Sequence, residues 1–563
     1  MTARSFHVVV ALALSAVVLA ERQPPSCDLL IAGGRVVDGT GAPWFAADVC
    51  VYGDRIAAIR PGESARSTRR IDAAGLIVAP GFIDMLGQSE YWVLRDSRVA
   101  SKIMQGITTE LTGEASFTSV GHPNARRLHP FAAMFDAEKV PGFDNLAGYL
   151  RVLDRQPATI NLGTFVSAGG VRESVVGRED RAATDAELKE MEAQVSEAMQ
   201  AGAFGVSTSL QYVPDRFATT EEIVALAKVA RRYGGSYITH QRSESYEIDA
   251  SLDEVFRIAR EADIPAQVYH LKTSGKPNWG RMPAVLKRLE QARAMGLDVS
   301  ADQYPYIAGQ NSLDANLPLW VRDGGRDKMI ERLKDPALRA RVKADVVRED
   351  RSWENQYLGS GGPGGVLIVS VVNPALKKYE GRTLEQIAKD ESKDPVDVIM
   401  DIVIADRANT SNVIFMMSED DVRLALKHPL VSLCTDSGAK AMDGIFSLER
   451  SHPRAWGSAA RILGRYVREE KLLPLEEAVR KMTSLPASRM GLAERGIVRP
   501  GMLADLVAFD PETVKDKATF EDPLQYSEGI PFVAVNGQLV VDSGQITTAR
   551  PGRALLGPGY RSR

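Results

Sequence analysis

Cysteine and histidine are both scarce here. The 563 residues include three cysteines, Cys27, Cys50 and Cys434, and seven histidines. Three thiols cannot all pair, so no disulfide framework is implied. Any metal site must draw on those few imidazoles together with carboxylates. An excess of one charge is missing too: 69 basic and 73 acidic residues leave a net −4, which gives no electrostatic case for binding nucleic acid. Beyond the N-terminus no apolar run is long enough to span a bilayer. Glycine and proline, 47 and 29 residues, are close to average, which excludes a collagen-like or linker-dominated chain. What is present is globular: 44% hydrophobic and 25% charged residues. Length alone points to about three to four domains, although one α/β barrel absorbs ~250 residues or more.

Residues 1–20, MTARSFHVVVALALSAVVLA, place one arginine before an apolar run from Val8 to Leu19, with Val18 and Ala20 as small residues at a cleavage site. This is the form of a secretory signal peptide, too short to span a membrane. The expected location is secreted or periplasmic, with no stable membrane insertion after cleavage. Cys27 follows Pro-Pro-Ser and does not read as a lipoprotein site.

From residue 76 a strand-then-helix alternation sets in. The expected strands are 76–84, 107–111, 160–167, 203–208, 236–240, 266–270, 297–301 and 431–435. They are short, apolar and β-branched, as strands buried on both faces are. Boxes of the form Thr/Ser-x-x-Glu at Thr184, Thr219 and Ser251 are expected to open three of the helices. Eight such strands fit an α/β fold of the (β/α)8 TIM-barrel type, with its chemistry at the C-terminal strand ends. An open doubly wound sheet is the alternative, but no G-x-G-x-x-G turn supports a dinucleotide version. Residues 303–430 are too long for one crossover and are expected to hold a mostly helical insertion. Residues 21–75 and 496–563 are turn-rich and β-like, with a hairpin signal at Asn536-Gly537. They are expected to pair as a small flanking β-sandwich around a hydrolase barrel at 76–495.

Sorting polar residues by strand end gives Glu114 after the second strand, His240 ending the fifth, His270 ending the sixth and Asp436 after the eighth. On parallel strands these converge at one mouth. Two imidazoles with a carboxylate suit Zn²⁺. Lys272 and Arg242 each lie two residues past a histidine, so strand alternation would aim them the same way, toward a substrate carboxylate. His122, His129, His428 and His452 are read as structural, His452 shaping the mouth through Arg454, and Cys434 as packing.

The stretches DLLIAGGRVVDGTG, APGFID at 79–84, GITTELTGE at 106–114, YITHQRSE at 237–244, VYHLKTSGKPNWG at 268–280, LCTDSGA at 433–439 and RPGMLADLVAFDPETV at 499–514 together resemble the amidohydrolase superfamily, and within it the N-acyl-D-amino-acid deacylase (D-aminoacylase) family. The resemblance covers nearly all of the chain after residue 20. It implies a barrel with a flanking β-sandwich, and hydrolysis of the amide joining an acyl group to a D-amino acid. It implies His240 and His270 as metal ligands and Asp436 as the catalytic aspartate. It favours Lys272 and Tyr212 as carboxylate anchors, with Tyr304 or Tyr306 adding a hydroxyl.

Two departures stand out. The superfamily's His-x-His after G-F-I-D is replaced by Leu86 and Gln88, and no His-x-His occurs elsewhere. The family's strand-two Gly-Asn-Cys-Gly is replaced by Gly113-Glu114-Ala115-Ser116. The expectation is therefore one ion on Glu114, His240 and His270, with Asp436 as general base and then acid, acting on a small N-acyl amino acid. Gln88 and Glu90 are expected to contact the nucleophile or substrate where the ligands are missing. The alternatives are another amide hydrolase on this fold, or an inactive binding protein.

Overall fold

The computed structural model describes residues 26–62, 66–116, 118, 142–448 and 450–561. The segment expected to be a signal peptide, and His122 and His129, lie outside them.

Eight parallel strand positions follow in sequence order: β1 Phe82–Asp84, β2 Ile107–Thr112, β3 Asn161–Thr164 with its continuation Val166–Ser167, β4 Gly205–Ser209, β5 Ser236–His240, β6 Ala266–Val268, β7 Val299–Gln303 and β8 Val431–Leu433. Every residue of β4 and β5 is buried, which is why these runs carry no polar alternation. The hydrogen bonds form two sheets rather than one ring: β1-β2-β3, and β8-β7-β6-β5-β4 with the continuation of β3. β3 breaks at Phe165, whose N–H turns to Thr112 O at 2.8 Å. At the other junction Met85 N–H reaches Leu433 O at 3.3 Å and Gly87 bridges Ser437 in parallel.

The two chain ends share one nine-stranded sheet. Leu506–Phe509 pairs antiparallel with Ile77–Pro80, next to Cys27–Val36. Asn536 and Gly537 both take positive φ, 46° and 81°, the backbone a two-residue hairpin turn demands, and they join Phe532–Val535 to Gln538–Asp542. Cys27 and Cys50 lie on adjacent antiparallel strands, Cα atoms 5.4 Å apart, and form a disulfide. The odd cysteine count misled here: it excludes full pairing but not one bridge. Cys434 is the free, buried thiol.

Helices lie between the parallel strands. Thr184 closes its full capping box over Asp185–Ala201, and Thr219 accepts from Glu222 N–H over Thr220–Arg232. The box at Ser251 does not form. The helix Ile248–Glu261 already runs through Ser251. Its hydroxyl accepts from Ser243 N–H at 2.8 Å, and Glu254 is held by Arg242. Between β7 and β8 the chain builds a three-stranded sheet with Ser411–Ile414 between Gly309–Ser312 and Val366–Ser370. Helices such as Pro336–Val347 and Pro395–Ala405 pack on it around a separate apolar core. Among the described residues no helix is long and apolar enough to cross a membrane.

Candidate metal centre and active site

Three strand ends break their own geometry to present side chains. After β2, Gly113 takes φ 127°, where an added Cβ would lie 2.8 Å from Phe165, so the chain can turn tightly into Glu114. His270 holds φ 33° and Asp436 φ 48°. A non-glycine residue in that region costs ~1–3 kcal/mol and persists only when its surroundings fix it. Asp302 Oδ1 fixes His270 by accepting its N–H at 2.7 Å. Leu86 O fixes Asp436 in the same way at 2.8 Å.

These turns bring Glu114, His240 and His270 together, with one donor atom from each within 4.8 Å of the others. Glu114 Oε1 lies 3.1 Å from His240 Nδ1 and 3.4 Å from His270 Nε2. Gln211 Oε1 accepts from His240 Nε2–H at 2.6 Å, which fixes the ring with Nδ1 turned toward Glu114. Behind His270, Glu244 Oε1 stands 3.1 Å from Nδ1 and accepts from Lys272 Nζ at 2.7 Å.

The electrostatics call for positive charge. Burial pushes the Glu114 carboxyl up, but the hydrogen bonds and charge of the two histidines outweigh it and hold it well below the ordinary range. Burial and Lys272 lower His270, yet Glu244, Asp436 and Glu114 carry it to about 10. A buried carboxylate facing two imidazoles with no permanent cation bonded to it fits a divalent ion, and the oxygen–nitrogen set suits zinc chemistry.

Across the site Asp436 Oδ2 lies 2.6 Å from Arg454 Nη1. Burial raises the Asp436 carboxyl, with Arg454 opposing. Gln88 Nε2 donates to Asp436 Oδ1 at 3.0 Å and to Glu114 Oε2 at 3.1 Å. Beneath, the fully buried Lys102 donates to Asp84 Oδ2, Thr435 Oγ1 and Ser437 O, each at 2.7 Å. It thereby grips the residues on either side of Asp436. Glu90 is buried at the cavity wall, raised to about 8 by desolvation.

Glu114, the two histidines, Gln88, Asp436 and Arg454 line a cavity of ≈ 260 Å³. Tyr212 lines it, its hydroxyl accepting from Asn311 Nδ2 at 3.3 Å. Lys272 lines it while bonded to Glu244. Tyr304 lines it as a platform: Arg454 sits 4.6 Å above its ring, and its hydroxyl donates to Met417 Sδ. Tyr306 instead donates to Asp516 and does not line the cavity.

Arg242 is not brought to the site. Its guanidinium is clamped by Glu254 at 2.9 Å and by the carbonyls of Arg216 and Ala218. β5 ends at His240, so strand alternation no longer holds two residues later. Sequence reasoning gave no role to Glu244, Gln211 or Lys102. The only signal for Glu244 was its place four residues past His240. Arg454 had been given only a supporting part. His452 does support it: Nε2–H donates to Ala308 O and Nδ1 accepts from Arg454 N–H, both at 2.9 Å. His428 bonds Glu290 away from the cavity.

Mixed α/β order and this cluster of imidazoles and acid at parallel strand ends define a metal-dependent hydrolase site. Residues 69–541 match the amidohydrolase family model, and the chain belongs to that family. The D-aminoacylase of Alcaligenes xylosoxydans xylosoxydans is 37% identical over 94% of this chain and 97% of its own length. The N-acyl-D-glutamate deacylase of the same organism is 34% identical over 94% and 96%. A solved N-acyl-D-glutamate deacylase from Bordetella bronchiseptica, in complex with zinc and a phosphonate mimic of the tetrahedral intermediate, superposes with a TM-score of 0.79 at 32% identity. It covers 95% of this chain and 100% of its own.

Proposed function

We propose that this protein hydrolyses N-acyl-D-amino acids to a carboxylate and a free D-amino acid, using one zinc ion that Glu114, His240 and His270 would hold. The observation that carries the reading is Asp436 standing in the same cavity as the three converging donor atoms. Full-length similarity to D-aminoacylases and N-acyl-D-amino-acid deacylases supports it. When bound, a divalent ion there polarises the scissile carbonyl and acidifies water.

Asp436 takes the proton of the attacking water at its carboxylate and passes it to the departing amine, one group serving as base and then acid. Arg454 and Gln88 aim that carboxylate, and Arg454 opposes its burial. Lys272 and Tyr212 offer a donor each to the substrate carboxylate. The insertion adds Gln310, Asn311 and Ser411 to the cavity lining.

The eight parallel strands are read as one (β/α)8 barrel, because both sheet junctions carry hydrogen bonds. The nine-stranded sheet is read as a small sandwich, since strands from both chain ends share one apolar cluster, with Ile31 and Val49 beside Leu506 and Ala534. Export is read from residues 1–20, and the Cys27–Cys50 bridge suits an oxidising compartment.

The test is release of amino acid from matched N-acetyl-D- and N-acetyl-L-amino acids by zinc-loaded and chelator-treated protein. Turnover confined to D-substrates and lost on chelation is expected. Equal turnover of L-substrates, or none at all with zinc bound, refutes the reading.

A further inference from the structure

We infer that the Gln88 carboxamide occupies the place of a second cation, so that this site accepts one divalent ion and excludes another. The inference rests on the functional reading above for the first ion. It starts from the group that hydrogen-bonds both Glu114 and Asp436. Gln88 Nε2 lies 3.1 Å from Glu114 Oε2 and 3.0 Å from Asp436 Oδ1. An amide nitrogen carries two hydrogens, and each carboxylate receives one. Glu114 thus divides its oxygens, Oε1 toward the imidazoles and Oε2 toward Gln88. Asp436 is likewise divided, Oδ1 to Gln88 and Oδ2 to Arg454. Each of the four carboxylate oxygens therefore has a partner, and the two that face each other share the Gln88 amide nitrogen.

The amide is held in place by its backbone. Gln88 N–H donates to Ser437 O at 3.2 Å, and Gly87 N–H to Leu111 O at 2.8 Å. Ser89 is gripped through both N–H and Oγ by Glu110, each at 2.9 Å. Gly87 makes that grip possible, because a Cβ there would lie 1.9 Å from Glu110 Oε1. An ion bridging Glu114 and Asp436 would have to expel the amide that bonds them both, from a side chain whose backbone is held at Gly87, Gln88 and Ser89. It would gain nothing from Leu86, which is apolar and fully buried. Among the described residues the metal-competent cluster is the single trio of Glu114, His240 and His270. Charge agrees with geometry: Asp436 already has Arg454 as its permanent cation, so a neutral donor completes the bridge where a second dication would leave excess positive charge. Gln88 is accordingly a positioning residue. It keeps Asp436 off a metal and available for proton transfer.

The experiment is zinc counting on the full chain, by elemental analysis after equilibration with a large excess of zinc, together with anomalous diffraction from zinc-soaked crystals. One equivalent, with one peak at the trio, is expected for the native protein, and two equivalents for Gln88→His, which offers an imidazole between the two acids. Two equivalents in the native protein, or a peak between Glu114 and Asp436, overturns the inference, as does a folded Gln88→His that stays at one. Should Gln88→His fail to fold, the native count decides alone. Zero equivalents overturns the inference and the functional reading together. One equivalent without turnover of any N-acyl-D-amino acid supports the inference and refutes only the functional reading.

Discussion

The two sides of the cavity keep their carboxylates by opposite means. On the side built by β2, β5 and β6, Glu114 meets two imidazoles and an amide. On the side built by β1 and β8, Asp84 and Asp436 each have a permanent cation, Lys102 and Arg454, and Lys102 reaches across to Glu110 of β2 as well. Burying an anion without a partner costs several kcal/mol. The first side therefore has the composition of a place that recruits a metal. On the second, Asp436 already has a permanent cation in Arg454, which suits the proton-transfer role proposed for it. A buried carboxylate thus has two kinds of setting here, and the presence or absence of a permanent cation beside it distinguishes them.

The contrast breaks first at Asp436. Asp436→Asn is expected to lower kcat by about 10²–10⁴-fold, the usual worth of a general acid–base, with zinc content unchanged by elemental analysis. Loss of the ion in that variant would mean the two sides are one metal site. Next is Lys102→Met, which leaves Asp84 and Glu110 buried without their cation. It should cost ~3–5 kcal/mol of stability, read from the urea midpoint. A shift near zero would show that this side does not depend on its internal cation. The smallest effect belongs behind the trio. Glu244→Gln removes the carboxylate that stands 3.1 Å from His270 Nδ1 and holds the Lys272 Nζ lying 2.7 Å from the same nitrogen, and should weaken zinc affinity by about 10–100-fold in chelator competition. An unchanged affinity would mean that Lys272 or the backbone alone orients that ring.

The site was partly legible in the sequence. His240 and His270 could be read because each sits where a short apolar run ends, and β5 and β6 end at or beside them. Glu114 could be read for the same reason after β2. The method failed one step further out. Arg242 was assigned by alternation, but alternation stops with the strand, and Glu254 holds its guanidinium elsewhere. Lys102 sits in the short helix Ala100–Ile103 and had no sequence mark of burial. Its partners Thr435 and Ser437 are more than three hundred residues away. Cys27 and Cys50 show the same limit, since a count of thiols does not say which strands are neighbours.

Strand positions, helix starts at Thr184 and Thr219, the hairpin at Asn536-Gly537 and the strand-end placement of Glu114, His240 and His270 were set by the sequence itself, because each depends on a local pattern of apolar spacing, capping or strand end. Pairing across long separations was decided by the tertiary structure alone. Gln88 and Asp436 are 348 residues apart in the chain yet 3.0 Å apart in space, because the end of β1 returns to the end of β8. That contact, rather than either residue's identity, makes a glutamine the partner of two acids.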